Sequence, residues 1–150
     1  MATISNNGII NIMRGDSFTF FQGINLGTKA LPEYYSLQEG DSLYFGVMEP
    51  NRSFEDAIIR KSYSYLSDQD DEGFIQIDIN PEDTEFLETG KYYYMIKLRR
   101  KVSDTKYSVK TIVNPTLFWI EGNNPIIKEP NRWEKDEYDV DHIIYDGGRL

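Results

Sequence analysis

Carboxylates are the reactive groups this chain has in number: 25 Asp and Glu stand against 16 Lys and Arg, one histidine and no cysteine, for a net charge of −9. Without cysteine, a thiolate nucleophile, a zinc–thiolate site and any disulfide are excluded. The densest acidic run holds Asp68, Asp70, Glu72 and Gly73. Oxygens at alternate positions and a turn glycine resemble the first half of a calcium loop. The place of the closing bidentate acid is taken by Ile79, so a solvated acidic hairpin is expected and no metal site. His142 has Asp139, Asp141 and Asp146 nearby in sequence, but no serine in a nucleophile elbow and no second histidine. Paired acids such as Glu82-Asp83 stand in turn sequences, where they cap or solvate. Gly147-Gly148 lacks the lysine and following helix of a phosphate loop. No nucleophile, base and oxyanion donors assemble, so the chain reads as non-enzymatic, with no catalytic residue and no cofactor.

Two recognition features remain. Arg14-Gly15-Asp16 spells the integrin-binding tripeptide, but it lies between two strand patterns and is expected to be a turn. Tyr34, Tyr35, Tyr63, Tyr65, Tyr93 and Trp133 offer aromatic area for a sugar or protein platform. Core packing is the plainer use for most of them.

The elements that would carry these residues are strands. Lys91 to Arg100 alternates, with Tyr92, Tyr94, Ile96 and Leu98 on one face and Lys91, Tyr93, Met95, Lys97 and Arg99 on the other, a period of two. An acidic turn from Pro81 to Gly90 precedes it. Leu87, Gly90 and Tyr92 have the spacing of a tyrosine corner, which predicts a buried Tyr92 whose hydroxyl bonds backbone between Thr84 and Leu87. Further strands are expected at Ile9–Met13, Ser17–Phe21, Ser42–Glu49, Ala57–Tyr65, Phe74–Ile79 and Lys106–Ile120, the last bulged at Asn114-Pro115, since proline donates no ladder bond. The long segment Gly23–Gly40 is expected to pack through Tyr34, Tyr35 and Leu37. About seven or eight strands without an amphipathic helix predict an all-β fold, an antiparallel β-sandwich.

No run of about twenty apolar residues could span a membrane, and the opening residues lack the basic and apolar regions of a signal peptide. The acidic balance argues against a general phosphate-binding surface, so no nucleic acid is expected as a partner, and favours a soluble protein or one that meets a basic partner. Residues 1–122 read as the β-sandwich domain and 123–150 as an extended C-terminal arm, too weakly patterned to fold alone. Such an arm would lay Trp133, Tyr138 and the cluster Ile143, Ile144 and Tyr145 into grooves on adjacent subunits.

The motifs Arg14-Gly-Asp-Ser-Phe-Thr-Phe20, Leu43-Tyr-Phe-Gly-Val-Met-Glu-Pro50, Phe54-Glu-Asp-Ala-Ile-Ile-Arg-Lys61, Pro81-Glu-Asp-Thr84 and Leu87-Glu-Thr-Gly-Lys-Tyr-Tyr-Tyr-Met-Ile-Lys-Leu98 resemble small bacteriophage β-sandwich proteins. The resemblance covers residues 8–121 and is to the N-terminal domain of baseplate upper proteins and related Ig-like modules on phage heads and tails. It implies an Ig-like fold and a structural role in a virion, in the tail or baseplate or as a head decoration or fibre. The implied partners are other virion proteins and copies of the chain itself. A carbohydrate-binding module is the alternative, and a hydrolase built on acidic pairs ranks last.

Overall fold

A computed structural model describes residues 2–65 and 69–122. It is all-β. The strands are β1 (Thr3–Ile4), β2 (Ile10–Met13), β3 (Phe18–Gln22), β4 (Ile24–Asn25), β5 (Tyr34–Tyr35), β6 (Ser42–Met48), β7 (Ile59–Ser64), β8 (Ile75–Ile79), β9 (Gly90–Ser103) and β10 (Lys106–Glu121). A 3-10 turn, Phe54–Asp56, follows β6, and a single helical turn, α1 (Pro81–Thr84), precedes β9. The main sheet has six strands in the order β1-β2-β10-β9-β6-β7, and β3–β8 and β4–β5 form two-stranded ribbons.

The alternation seen in the sequence decides which faces are buried. Tyr92, Tyr94, Ile96 and Leu98 of β9, Leu43, Phe45 and Val47 of β6, Ile10 and Ile12 of β2, and Phe118 and Ile120 of β10 line one side of the main sheet. Phe20 of β3 and Ile75, Ile77 and Ile79 of β8 close the core from the other side. Aromatic rings stitch the two: Phe20 lies 6.0 Å from Phe45 and 6.4 Å from Tyr94, ring centre to ring centre, in edge-to-face geometry. Such contacts add to the area term.

The expectation of a purely antiparallel arrangement is corrected. β2 runs parallel to β10, pairing Ile10 with Phe118 through Met13 with Glu121. Parallel neighbours need a long connection between them, and here nearly the whole chain supplies it. The bulge is present: between the pairs Val113–Ile96 and Thr116–Tyr94, β10 has one residue more than β9, which leaves Pro115 outside the ladder. The very short strands β1, β4 and β5 carry too little alternation to be read from sequence. The corner also forms. Gly90 opens β9 at φ 140°, a conformation open to glycine, and Tyr92 is buried. Its hydroxyl donates to the Glu88 carbonyl at 2.7 Å, one residue past the expected span, because four residues separate the partners across the turn.

Candidate functional site

Among the described residues, most of the chemistry-bearing side chains singled out above are engaged in holding the fold. The Met13–Asp16 turn is closed by an Asp16 N–H to Met13 carbonyl bond. Arg14 Nη1 donates to the Leu87 carbonyl at 3.2 Å, and the Gly15 N–H donates to Oγ1 of the fully buried Thr84 at 2.8 Å. The integrin-like tripeptide is therefore pinned to the tyrosine corner. Asp83 accepts from the Asn80 N–H at 2.7 Å and pairs with Lys61 Nζ at 2.7 Å, so it caps α1 and ties it to β7. Asp70 Oδ1 accepts from the Glu72 and Phe74 amides, both at 2.9 Å. That carboxylate builds the hairpin turn, and Ile79 is core. Asp68 lies outside the described residues; among those described, no three acidic or histidine side chains form a group that could hold a metal. Tyr35, Tyr63 and Tyr65 pack against the core, whereas Tyr34 is 74% exposed. Trp133, Tyr138, His142, Ile143, Ile144 and Tyr145 lie outside the described residues.

Asp41, which the sequence reading passed over, organises the long segment before β6. It is 3% exposed. Its carboxylate accepts from the Tyr35 hydroxyl, from the Gln38 N–H at 2.9 Å and from the Lys101 N–H at 2.8 Å. Burial pushes its carboxyl up, but these bonds and the nearby Arg100 outweigh burial and hold it below the usual range. The same burial and the bond to Asp41 push the Tyr35 hydroxyl up. On the inner face, burial takes the Tyr94 hydroxyl to about 12, where it donates to the Gly8 carbonyl.

One surface not taken up by the core is the outer side of β9 and β10 and the hairpin they extend beyond the sheet. β6 follows β9 only as far as Arg99. β2 follows β10 only over Phe118–Glu121. Past those points, among the described residues, no further strand pairs with either of the two long strands. Residues 97–110 carry Lys97, Arg99, Arg100, Lys101, Lys106 and Lys110 against the single acid Asp104, a local +5 in a chain of −9. Strand alternation divides these bases between the faces. On the inner face Arg100 lies 4.6 Å over the Tyr35 ring and Lys110 Nζ donates to the Leu26 carbonyl at 3.0 Å, so both clasp the β4–β5 ribbon. On the outer face Lys97 lies over Phe54 and Arg99 lies 3.7 Å over the Tyr107 ring. Val102 and Val109 are about two-thirds exposed at the tip, and Tyr107 is also exposed. Toward the base the same face continues through half-buried Tyr93, Met95, Leu117 and Trp119.

Such a band combines apolar and aromatic area with cations. Alternation divides these bases between the two faces, and their number shows only when charge is summed along the segment. Beside them, a groove of about 370 Å³ opens between β6, β7 and the 3-10 turn, lined by Tyr44, Gly46, Phe54, Ala57 and Arg60. Arg60 is already committed there, donating to the Ala57 and Glu55 carbonyls at 2.8 Å. No protein-family model matches this chain, and no curated protein matches its sequence.

Proposed function

We propose that this protein is a non-enzymatic structural component of a bacteriophage particle, an Ig-like β-sandwich that docks through one sheet and its C-terminal arm. The observation that carries the reading is the basic, apolar-tipped β9–β10 hairpin standing out from a chain that is acidic as a whole. That is the signature of an assembly surface. The Ig-like part has support in the strand order. β2, β10, β9, β6 and β7 on one side, with β3 and β8 on the other, match the larger sheet and the central pair of the opposing sheet in a variable-type immunoglobulin domain, and the tyrosine corner sits at the expected strand. The virion itself rests on the resemblance of residues 8–121 to phage β-sandwich proteins.

Deleting residues 123–150 tests it. The domain is expected to remain folded and monomeric, with an unchanged melting transition, while the protein disappears from purified particles of the phage that encodes it. Normal incorporation of the truncated chain defeats the arm. A truncation that unfolds the domain shows instead that these residues belong to its core. A carbohydrate-binding module is the second reading, and the groove beside Tyr44 and Phe54 favours it. Glycan-array binding that is lost on Tyr44→Ala would establish it in place of the first.

A further inference from the structure

β10 has a neighbour on one side along its whole length, but on the other side only at Phe118–Glu121. From Lys106 to Leu117 no strand among the described residues covers that second edge. The bulge around Asn114-Pro115 spoils its upper part for pairing, since proline has no N–H to give. Lys106 to Lys110 is exposed; Tyr107 to Lys110 pairs with β9 in regular register, with one register shift between Lys106 and Tyr107, and an uncovered edge of this kind is a template for an added strand. Along it, Tyr107 and Val109 point to one face and Lys106, Ser108 and Lys110 to the other.

Within the arm, Glu137-Tyr-Asp-Val-Asp141 is the complementary sequence. Its acids and its β-forming Tyr138 and Val140 alternate. Laid antiparallel, Glu137 falls opposite Lys110, Tyr138 opposite Val109, Asp139 opposite Ser108, Val140 opposite Tyr107 and Asp141 opposite Lys106. Four of the five cross-strand pairs are then matched in charge or in apolar character, and the fifth sets Asp139 against the hydroxyl of Ser108. Lys110 keeps donors to spare beyond its bond to the Leu26 carbonyl.

We infer that the β10 edge at Lys106–Lys110 receives residues 137–141 of a second copy of this chain as an added antiparallel strand. This rests on the assembly reading above and names the surface and the segment it uses. Reach favours a second copy as donor. From Glu121 back to Lys110 the strand spans roughly 36 Å, whereas a random-coil link of the length of residues 123–136 has a root-mean-square span of roughly 20 Å. The chain's own segment would arrive only with that link stretched.

The chain has no cysteine, so introduced thiols report without background. Full-length Val109→Cys protein is mixed with full-length Tyr138→Cys protein in a glutathione redox buffer. A mixed disulfide dimer is expected to dominate both homodimers and to exceed that formed between Val109→Cys and the control Tyr34→Cys. Adding Lys106→Glu and Lys110→Glu to the Val109→Cys chain should cut its yield by about tenfold. Adding Glu137→Lys and Asp141→Lys to the other chain should then restore it. Yield at the control level, or charge reversal without effect or without rescue, overturns the inference. So does a chain carrying both cysteines that closes only on itself, because the donor is then not a second copy. If dimers fail to form while deletion of 123–150 still removes the protein from particles, the edge assignment falls and the assembly reading stands. Dimers that form while the truncated chain still enters particles leave the edge contact in place and defeat that reading.

Discussion

A few buried polar atoms hold more of this fold than their number suggests, because each satisfies a backbone group that the strands leave over. The Tyr92 hydroxyl is one. Tyr92→Phe should destabilise the domain by about 1 kcal/mol, since the Glu88 carbonyl loses its donor while the ring still packs. Chemical denaturation should show this as a lower midpoint with an unchanged slope. Asp41 is a stronger case, with three donors converging on one carboxylate. Asp41→Asn puts an amide N–H₂ where an acceptor is needed, and the expected loss is about 2–3 kcal/mol at neutral pH. The sign of its pH dependence follows from the direction of the shift. A carboxyl held below its unfolded value stabilises the fold fully above that value, 3.8, and the contribution is lost as pH falls through the lower folded-state value. Acid melting of the wild type should therefore steepen below pH 3.8, and the asparagine variant should lack that component.

Among the elements, legibility tracked the strength of the alternation. β9 and β8 were plain from their sequences because every second residue is large and apolar, and the bulge in β10 was plain because Pro115 has no N–H. The parallel pairing of β2 with β10 was not readable. Four residues specify a strand but not its neighbour, and register over such distances is set by the whole core. Asp41 escaped notice for a related reason: its partners, Tyr35 and Lys101, come together only when β5 and β9 do. The alternation of β9 assigns its residues to two faces one strand at a time and does not show that six bases converge on one hairpin. The 3-10 turn falls where Ser53–Asp56 reads as a brief turn, and close contact holds it there. Phe54 packs so closely on β6 that a Cβ at Gly46 would lie 2.8 Å from its ring and 3.1 Å from the Ala57 Cβ. Gly46→Ala should therefore displace the turn and destabilise by about 1–3 kcal/mol, measurable by thermal melting. Gly46→Ala combined with Phe54→Ala should recover part of the clash.

At the scale of the whole molecule, the body is acidic and the hairpin basic, so association through the hairpin should weaken as salt rises, while the fold, held by an apolar core, should respond little. The parallel pairing of β2 and β10 bears on how the domain meets a pull. β1 doubles back on β2 through only two residue pairs, Thr3 with Asn11 and Ile4 with Ile10. Tension between the N-terminal end and residue 122 would first peel those pairs away one at a time. It would then act on the Ile10 end of β2 and the Glu121 end of β10, which are opposite ends of a parallel ladder, so the four pairs from Ile10–Phe118 to Met13–Glu121 are strained together rather than in turn. In an optical trap, a small early release followed by a high rupture force is expected with handles at the N-terminus and residue 122. Moving the first handle to Met13, beside Glu121, turns shear into unzipping and should lower that force. A domain wired this way tethers whatever lies beyond its two ends through a mechanical fuse in series with a clamp.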